Sequence, residues 1–260
     1  MFRACSKSAV AAVMFALSLS TGTRAADLPP PVPDTSDWKF VAALYGWGAG
    51  LDGDVGVFGL PSQHVDLPFS DVIQNLDFAF MGLAEARKGR FMMGVDATYT
   101  NVGMSVKTPK GILADKIDIT NTALMLTGVA GYGILDTDTA RLDLIAGARL
   151  WSVNNDFELK GGLLGGKSDS DGATWVDPLV GAKLRVNLLP KVYVASWAMI
   201  GGFGVGSDLM WDLMGGAGYE FNDTFSLFGG YRAVKVDYSN DGFVYDVVEQ
   251  GPVAALVFKF

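Results

Sequence analysis

Ala140-Arg-Leu-Asp-Leu-Ile-Ala-Gly-Ala-Arg-Leu-Trp-Ser-Val153 alternates its side chains with a period of two. Leu142, Leu144, Ala146, Ala148 and Leu150 fall on one face. Arg141, Asp143, Gly147 and Arg149 fall on the other, with Ile145 and Trp151 as apolar exceptions. Successive side chains of a strand point to opposite faces, so this stretch reads as a strand with one apolar and one charged face. The pattern recurs on both sides of it. Phe91, Met93, Val95, Ala97 and Tyr99 oppose Gly94, Asp96, Thr98 and Thr100. Val176, Val180, Ala182, Leu184 and Val186 oppose Asp177, Gly181, Lys183 and Arg185. Ala254, Leu256, Phe258 and Phe260 oppose Lys259.

Working outward, ten strand-like segments follow Trp38: 38–50, 76–87, 91–106, 117–133, 140–153, 174–188, 191–203, 209–221, 225–238 and 243–260. Most reach the roughly 9–11 residues that a tilted strand needs to cross a membrane. Tight connections fall at Lys88-Gly89-Arg90, 135–139, Leu189-Pro190 and Asn222-Asp223-Thr224, where Gly, Pro, Asn and Asp serve hairpin turns. Longer or more polar connections lie between them, at 51–75, 107–116, 154–173, 204–208 and 239–242. Short and long alternate, as they do in an antiparallel barrel with both chain ends on one side. Aromatic residues gather near segment ends, including Trp38, Phe91, Tyr132, Trp151, Trp175, Phe221, Phe225, Tyr231, Phe258 and Phe260, as interface belts require.

The expected fold is therefore all-β, a single antiparallel transmembrane β-barrel of about ten strands over 38–260. Eight strands result if two segments merge, and twelve if 51–60 and a partner join the wall. A soluble β sandwich, burying the same apolar faces, is the competing fold. Within the first connection, Asp54 to Leu60 extends the first hairpin and 68–75 forms a short helix, which either caps the mouth or fills an outer loop. Residues 154–173 read as a mobile surface loop, from Gly161-Gly-Leu-Leu-Gly-Gly166 and Lys167-Ser-Asp-Ser-Asp-Gly172.

The first 25 residues read as a secretory signal. Arg3 and Lys7 precede the apolar run 9–19, and small residues lead to a cleavage point after Ala25 or one residue later. Residues 26–37, with Leu28-Pro-Pro-Pro-Val-Pro33, form a stiff periplasmic leader. Cleavage changes the net charge from −8 to −11 and removes Cys5, the single cysteine, and with it any disulfide or thiolate chemistry. No uncharged run after the signal reaches the roughly 20 residues of a membrane helix. The acidic balance, without a Lys/Arg cluster, excludes nucleic acid as a partner.

The last third, about 175–260, resembles small outer-membrane β-barrel proteins of Gram-negative bacteria. The likeness lies in Trp175-Val-Asp-Pro-Leu-Val-Gly-Ala-Lys-Leu-Arg185, Gly202-Phe-Gly-Val-Gly-Ser-Asp208, Gly218-Tyr-Glu-Phe-Asn-Asp223, Gly230-Tyr-Arg232, Val236-Asp-Tyr238 and Gly251-Pro252. The Pro-rich start resembles alphaproteobacterial members. The resemblance implies the cell outer membrane as location, with its lipid and lipopolysaccharide as surroundings. It also implies that Phe260 is the terminal aromatic read by the barrel assembly machinery.

Parity assigns Glu85, Arg87, Asp96, Arg141, Asp143, Arg149, Asp177, Lys183, Arg185 and Arg232 to the lumen. A barrel this small is filled largely by side chains. Charges of both signs in that space are expected to pair, because an unpaired buried charge is costly. The functional alternative is a narrow pore, or an opening gated by the first loop.

His64, the single histidine, is expected to be an exposed loop residue. No serine accompanies it on a regular strand, so neither a catalytic triad nor a cofactor is expected. Asp169 and Asp171 lack the remaining ligands of a calcium-binding loop, so no metal site is expected there. The sequence favours a structural or surface role in the outer membrane. The alternative is a binding or adhesion module acting through 51–75 and 154–173.

Overall fold

The computed structural model describes residues 38–108 and 114–260; the expected signal segment and leader, 1–37, lie outside the described residues. In chain order the elements are β1 Lys39–Trp47, β2 Gly50–Gly56, β3 Gln63–Leu67, α1 Phe69–Gln74, β4 Leu76–Lys88, β5 Phe91–Lys107 and β6 Lys116–Asp136. There follow β7 Ala140–Lys160, β8 Ser168–Leu189, β9 Val192–Gly202, β10 Leu209–Glu220, β11 Phe225–Asn240 and β12 Phe243–Lys259. Each wall strand pairs antiparallel with the next, from β4 through β12. β1 pairs with both β4 and β12, which closes the wall into a ten-stranded barrel. β2 and β3 are additional to the ten.

β2 continues the line of β1. Trp47 stands opposite Val253 and Gly50 opposite Gln250, so β1 and β2 share one partner strand on either side of a break at Gly48-Ala49. The break needs a glycine across from it: a Cβ on Gly251 would lie 1.8 Å from the Gly48 carbonyl oxygen. β3 folds back on β2 as a hairpin, and α1 links it to β4. Both the extended first hairpin and the short helix are thus present. No residue of α1 is buried, so the helix fills an outer connection.

The connections between β4 and β5, β6 and β7, β8 and β9, and β10 and β11 are short and mark one end, here the inner rim. At the outer end the sorting differs from expectation. β6, β7 and β8 run 21, 21 and 22 residues, well past any membrane requirement, and carry their pairing up to Glu158 opposite Ser168. Residues 154–173 are therefore mostly a paired hairpin rather than a mobile loop. Strand pairing extends through a Gly/Ser/Asp stretch of low strand propensity because each segment is templated by its neighbour. The outer connection between β11 and β12 is only Asp241-Gly242, both with positive φ (49° and 84°), a two-residue turn of the type that matches strand twist.

Leu144, Val176, Val180, Ile200, Leu213, Leu227 and Leu256 are exposed on the outward face. Aromatic pairs bound this band. At the inner rim Phe91 meets Tyr132 at 5.2 Å and Phe225 meets Phe258 at 5.5 Å; farther out Phe78 meets Tyr99 at 5.9 Å. Phe91 and Tyr99 share strand β5, and a rise of about 3.3 Å per residue with a tilt near 40° puts them about 20 Å apart in height. An apolar outward band between aromatic girdles on a closed ladder is the surface of a membrane-spanning barrel. Trp151 and Trp175, expected in the girdles, point inward and are buried. Their parity puts them on the face of Arg149 and Asp177.

Candidate functional site

The lumen is filled in layers. At mid-height Asp212, fully buried, accepts hydrogen bonds from Arg149 at 2.6 Å, Arg232 at 2.7 Å and the Trp197 indole at 2.8 Å. Arg232 also reaches Asp96 at 3.2 Å and the Tyr45 hydroxyl at 3.1 Å, while that hydroxyl donates to Asp96 at 2.9 Å. The Nε of Arg149 donates to the Thr127 hydroxyl at 2.8 Å. Both guanidinium groups lie over indole rings, Arg149 over Trp151 and Arg232 over Trp47 and Trp197. Buried charges are tolerable when paired and hydrogen-bonded in this way.

Nearer the inner rim a second chain of pairs runs Lys183–Glu85–Arg87–Asp143–Arg141–Asp136, with Arg87 2.5 Å from Glu85 and 2.8 Å from Asp143. A third group pairs Arg185 and Lys259 with Glu220, and places both cations over the Tyr193 ring. Gly218 makes that ring possible, since a Cβ there would stand 2.1 Å from a Tyr193 ring carbon. Between the first two layers lies a cavity of about 20 Å³ bounded by Glu85, Asp96, Thr127, Arg149, Lys183 and Arg232. That is room for about one water.

Toward the outer end the filling becomes aromatic. Trp175 stacks on Tyr238 at 3.9 Å and on Trp151 at 5.8 Å, and Tyr245 meets the edge of Trp175 at 6.4 Å. β8 and β11 are not neighbours in the wall, so the Trp175–Tyr238 stack bridges the lumen. Above it the β2–β3 hairpin reaches the β7–β8 hairpin. The Phe58 ring sits 5.4 Å from Phe157, and the Phe58 N–H donates to the Asp171 carboxylate. Phe58 holds a left-handed backbone (φ 57°), which a bulky residue keeps only when its contacts compensate. The tip of the first connection thus lies against the opposite hairpin, while its helix does not.

Of the ten residues assigned to the lumen by parity, Asp96, Asp143, Arg149, Asp177 and Arg232 are buried, the other five are partly buried, and all but Asp177 are ion-paired. Asp177 accepts the Ser207 N–H at 2.7 Å, the Ser207 hydroxyl at 2.8 Å and the Trp175 indole at 3.3 Å, so it anchors the 203–208 connection. Other segments carry inward charges by the same parity. On β10 the alternation of Leu209, Trp211 and Leu213 with Met210, Asp212 and Met214 assigns Asp212 inward by the same rule. Glu220, Lys259 and Glu249 follow likewise; Glu249 accepts the Tyr245 hydroxyl at 2.9 Å. Tyr45 and Trp197 carry no charge to single them out. His64 is exposed, 3.5 Å from Asp52 and 3.4 Å from Asp54. Among the described residues, no group of three or more His, Cys, Asp or Glu is placed to hold a metal ion.

No protein-family model and no curated protein matches the chain. It is similar to solved structures of membrane barrels. One is the translocator domain of the autotransporter NalP from Neisseria meningitidis, at 14% identity, covering 88% of this chain and 91% of that one, TM-score 0.42. Another is Neisserial surface protein A, at 16% identity, covering 85% and 97%, TM-score 0.33. A third is Ail, the attachment invasion locus protein of Yersinia pestis, at 12% identity, covering 86% and 99%, TM-score 0.36. The barrel assignment rests on the closed strand ladder of this chain, and none of these scores adds to it.

Proposed function

We propose that this chain is an outer-membrane barrel with a non-conducting lumen, whose work is done at the cell surface by the β2–β3 and β7–β8 hairpins. One observation supports the reading: the inner-rim ion pairs, the Arg149–Asp212–Arg232 cluster and the Trp175–Tyr238 stack fill the lumen in three successive layers. The outward apolar band contacts lipid, and Phe260 pairs through its backbone with Phe40 at the seam. The proposal includes no catalysis.

The test is single-channel recording of the refolded protein in a planar bilayer, with folding checked by heat-modifiable migration. A folded, inserted barrel should be electrically silent. Discrete conductance steps that change size when Arg149 or Arg185 is neutralised would overturn the proposal in favour of a narrow pore.

A further inference from the structure

β8 starts at Ser168, but β9 joins it only at Leu179, which stands opposite Gly201. Residues 168–178 pair with β7 on one side and, among the described residues, with no strand on the other. The phase of this edge follows from the hairpin above it. The Leu159 N–H donates to the Lys167 carbonyl at 2.9 Å, marking a hydrogen-bonded pair. Such pairs alternate along an antiparallel ladder. The odd positions from 169 to 177 therefore turn their N–H and C=O toward β7. Ser168, Ser170, Gly172, Thr174 and Val176 turn theirs to the open side, where the Ser170 N–H is taken up by the Asp169 carboxylate at 2.9 Å. Two features agree with this phase. Pro178, which has no N–H to offer, occupies the even position where β9 takes over. The Val176 carbonyl faces the 203–208 connection, 2.6 Å from where a Cβ on Gly206 would sit. That connection covers Val176, so the uncovered run is 168–174.

An uncovered edge of this length is a template for another strand. Its chemistry narrows the occupant. The uncovered run 168–174 contains Asp169 and Asp171 and no Lys or Arg. The connection at the foot of the notch ends on Asp208, whose N–H donates to the Asp237 carbonyl of β11, the strand on the far side. A second copy of the chain is disfavoured, because antiparallel self-pairing of this run would set Asp169 and Asp171 against their own counterparts. Like charges opposite one another destabilise a ladder.

We propose that the open edge of β8, 168–174, receives an added strand from a partner protein, an extended segment carrying Lys or Arg at alternate positions. The inference rests on the surface reading above. The partner's main chain supplies the hydrogen bonds, and its basic side chains meet Asp169 and Asp171.

The probe is a synthetic peptide of alternating Lys and Val, added to the full barrel in detergent, with an alternating Glu and Val peptide beside it. Hydrogen exchange of the Ser168, Gly172 and Thr174 amides should slow at least tenfold with the basic peptide and stay unchanged with the acidic one. Thr174→Pro removes one open-side donor and leaves the bonds to β7. It should weaken binding at least tenfold while heat-modifiable migration is retained. The exchange readout on the unmodified protein stands even where that variant misfolds. Absence of binding would overturn the proposal. So would binding that slows no edge amide and is indifferent to Thr174→Pro, which would mean charge attraction alone. Concentration-dependent self-association that protects the same amides would overturn it in favour of a second copy. A barrel that conducts yet shows peptide protection of these amides would sink the closed-lumen reading and leave this one standing.

Discussion

The lower and outer halves of the lumen are enclosed by the same closed ladder but filled by opposite chemistries. At mid-height and below, the filling is charge: Arg149, Arg232, Asp212, Asp96, then Glu85, Arg87 and Asp143. Toward the outer end it is Trp151, Trp175, Tyr238, Phe243 and Tyr245. The charged half sits where the wall faces lipid, so its groups find no water outside the barrel and must satisfy one another. The aromatic half lies beneath hairpins that rise above that level. It binds two non-adjacent parts of the wall by apolar burial, which needs no partner of opposite sign. Charge fixes geometry through directed bonds, and stacking fills space. The two halves should therefore fail differently.

The largest effect is expected at Asp212. Asp212→Asn keeps the volume but leaves Arg149 with no carboxylate and Arg232 with Asp96 alone. Breaking a buried pair by removing one partner costs about 3–5 kcal/mol. Unfolding of the lipid-reconstituted barrel by guanidinium should shift by that amount. Replacing Arg149 and Asp212 together by Met and Leu should recover much of the loss, because the uncompensated arginine is gone. If the pair of replacements were no better than Asp212→Asn, the charged half would owe its stability to shape rather than to pairing.

Trp175 is the corresponding test of the outer half. Trp175→Leu keeps an apolar side chain and removes the stack on Tyr238 and Trp151 together with the indole donor to Asp177. A loss of about 2–3 kcal/mol is expected, from reduced ring burial and the aromatic pairs. The loss should be insensitive to salt and should have no compensating charge replacement. A rescue of Trp175→Leu by altering a lumen charge would show that the two halves form one unit.

These halves were not equally legible in the sequence. Period-two alternation within a strand is local, so the ten wall segments and the inward parity of Arg149 or Lys183 can be read from neighbours one and two residues away. Partners are non-local: Arg232 meets Asp96 only because the wall closes, and Lys183 meets Glu85 across the lumen. The outer half is less legible for a different reason. Gly161 to Gly172 has the composition of a loop, yet β7 and β8 stay paired almost to its tip. Strand formation there is imposed by the adjacent strand rather than by the residues themselves. Trp151 and Trp175 lie near segment ends, where girdle residues sit, but their odd numbers put them on the face of Arg149 and Asp177.

The smallest effect belongs to the contact that joins the β2–β3 hairpin to the β7–β8 hairpin. Phe58→Ala removes the ring that meets Phe157, but retains the backbone N–H to Asp171 and the left-handed backbone at that position. One exposed aromatic pair is worth about 0.5–1.5 kcal/mol. Part of this only orders the hairpin, so global unfolding should move by no more than about 1 kcal/mol. The effect should appear instead as faster amide exchange across β2 and β3, with β7 and the Trp175 layer unchanged. Phe58→Gly separates ring from strain: it loses the same ring but accepts positive φ freely. It should therefore leave the hairpin better ordered than Phe58→Ala does. Equal exchange in the two variants would mean that the backbone strain at Phe58 contributes nothing to the order of the hairpin.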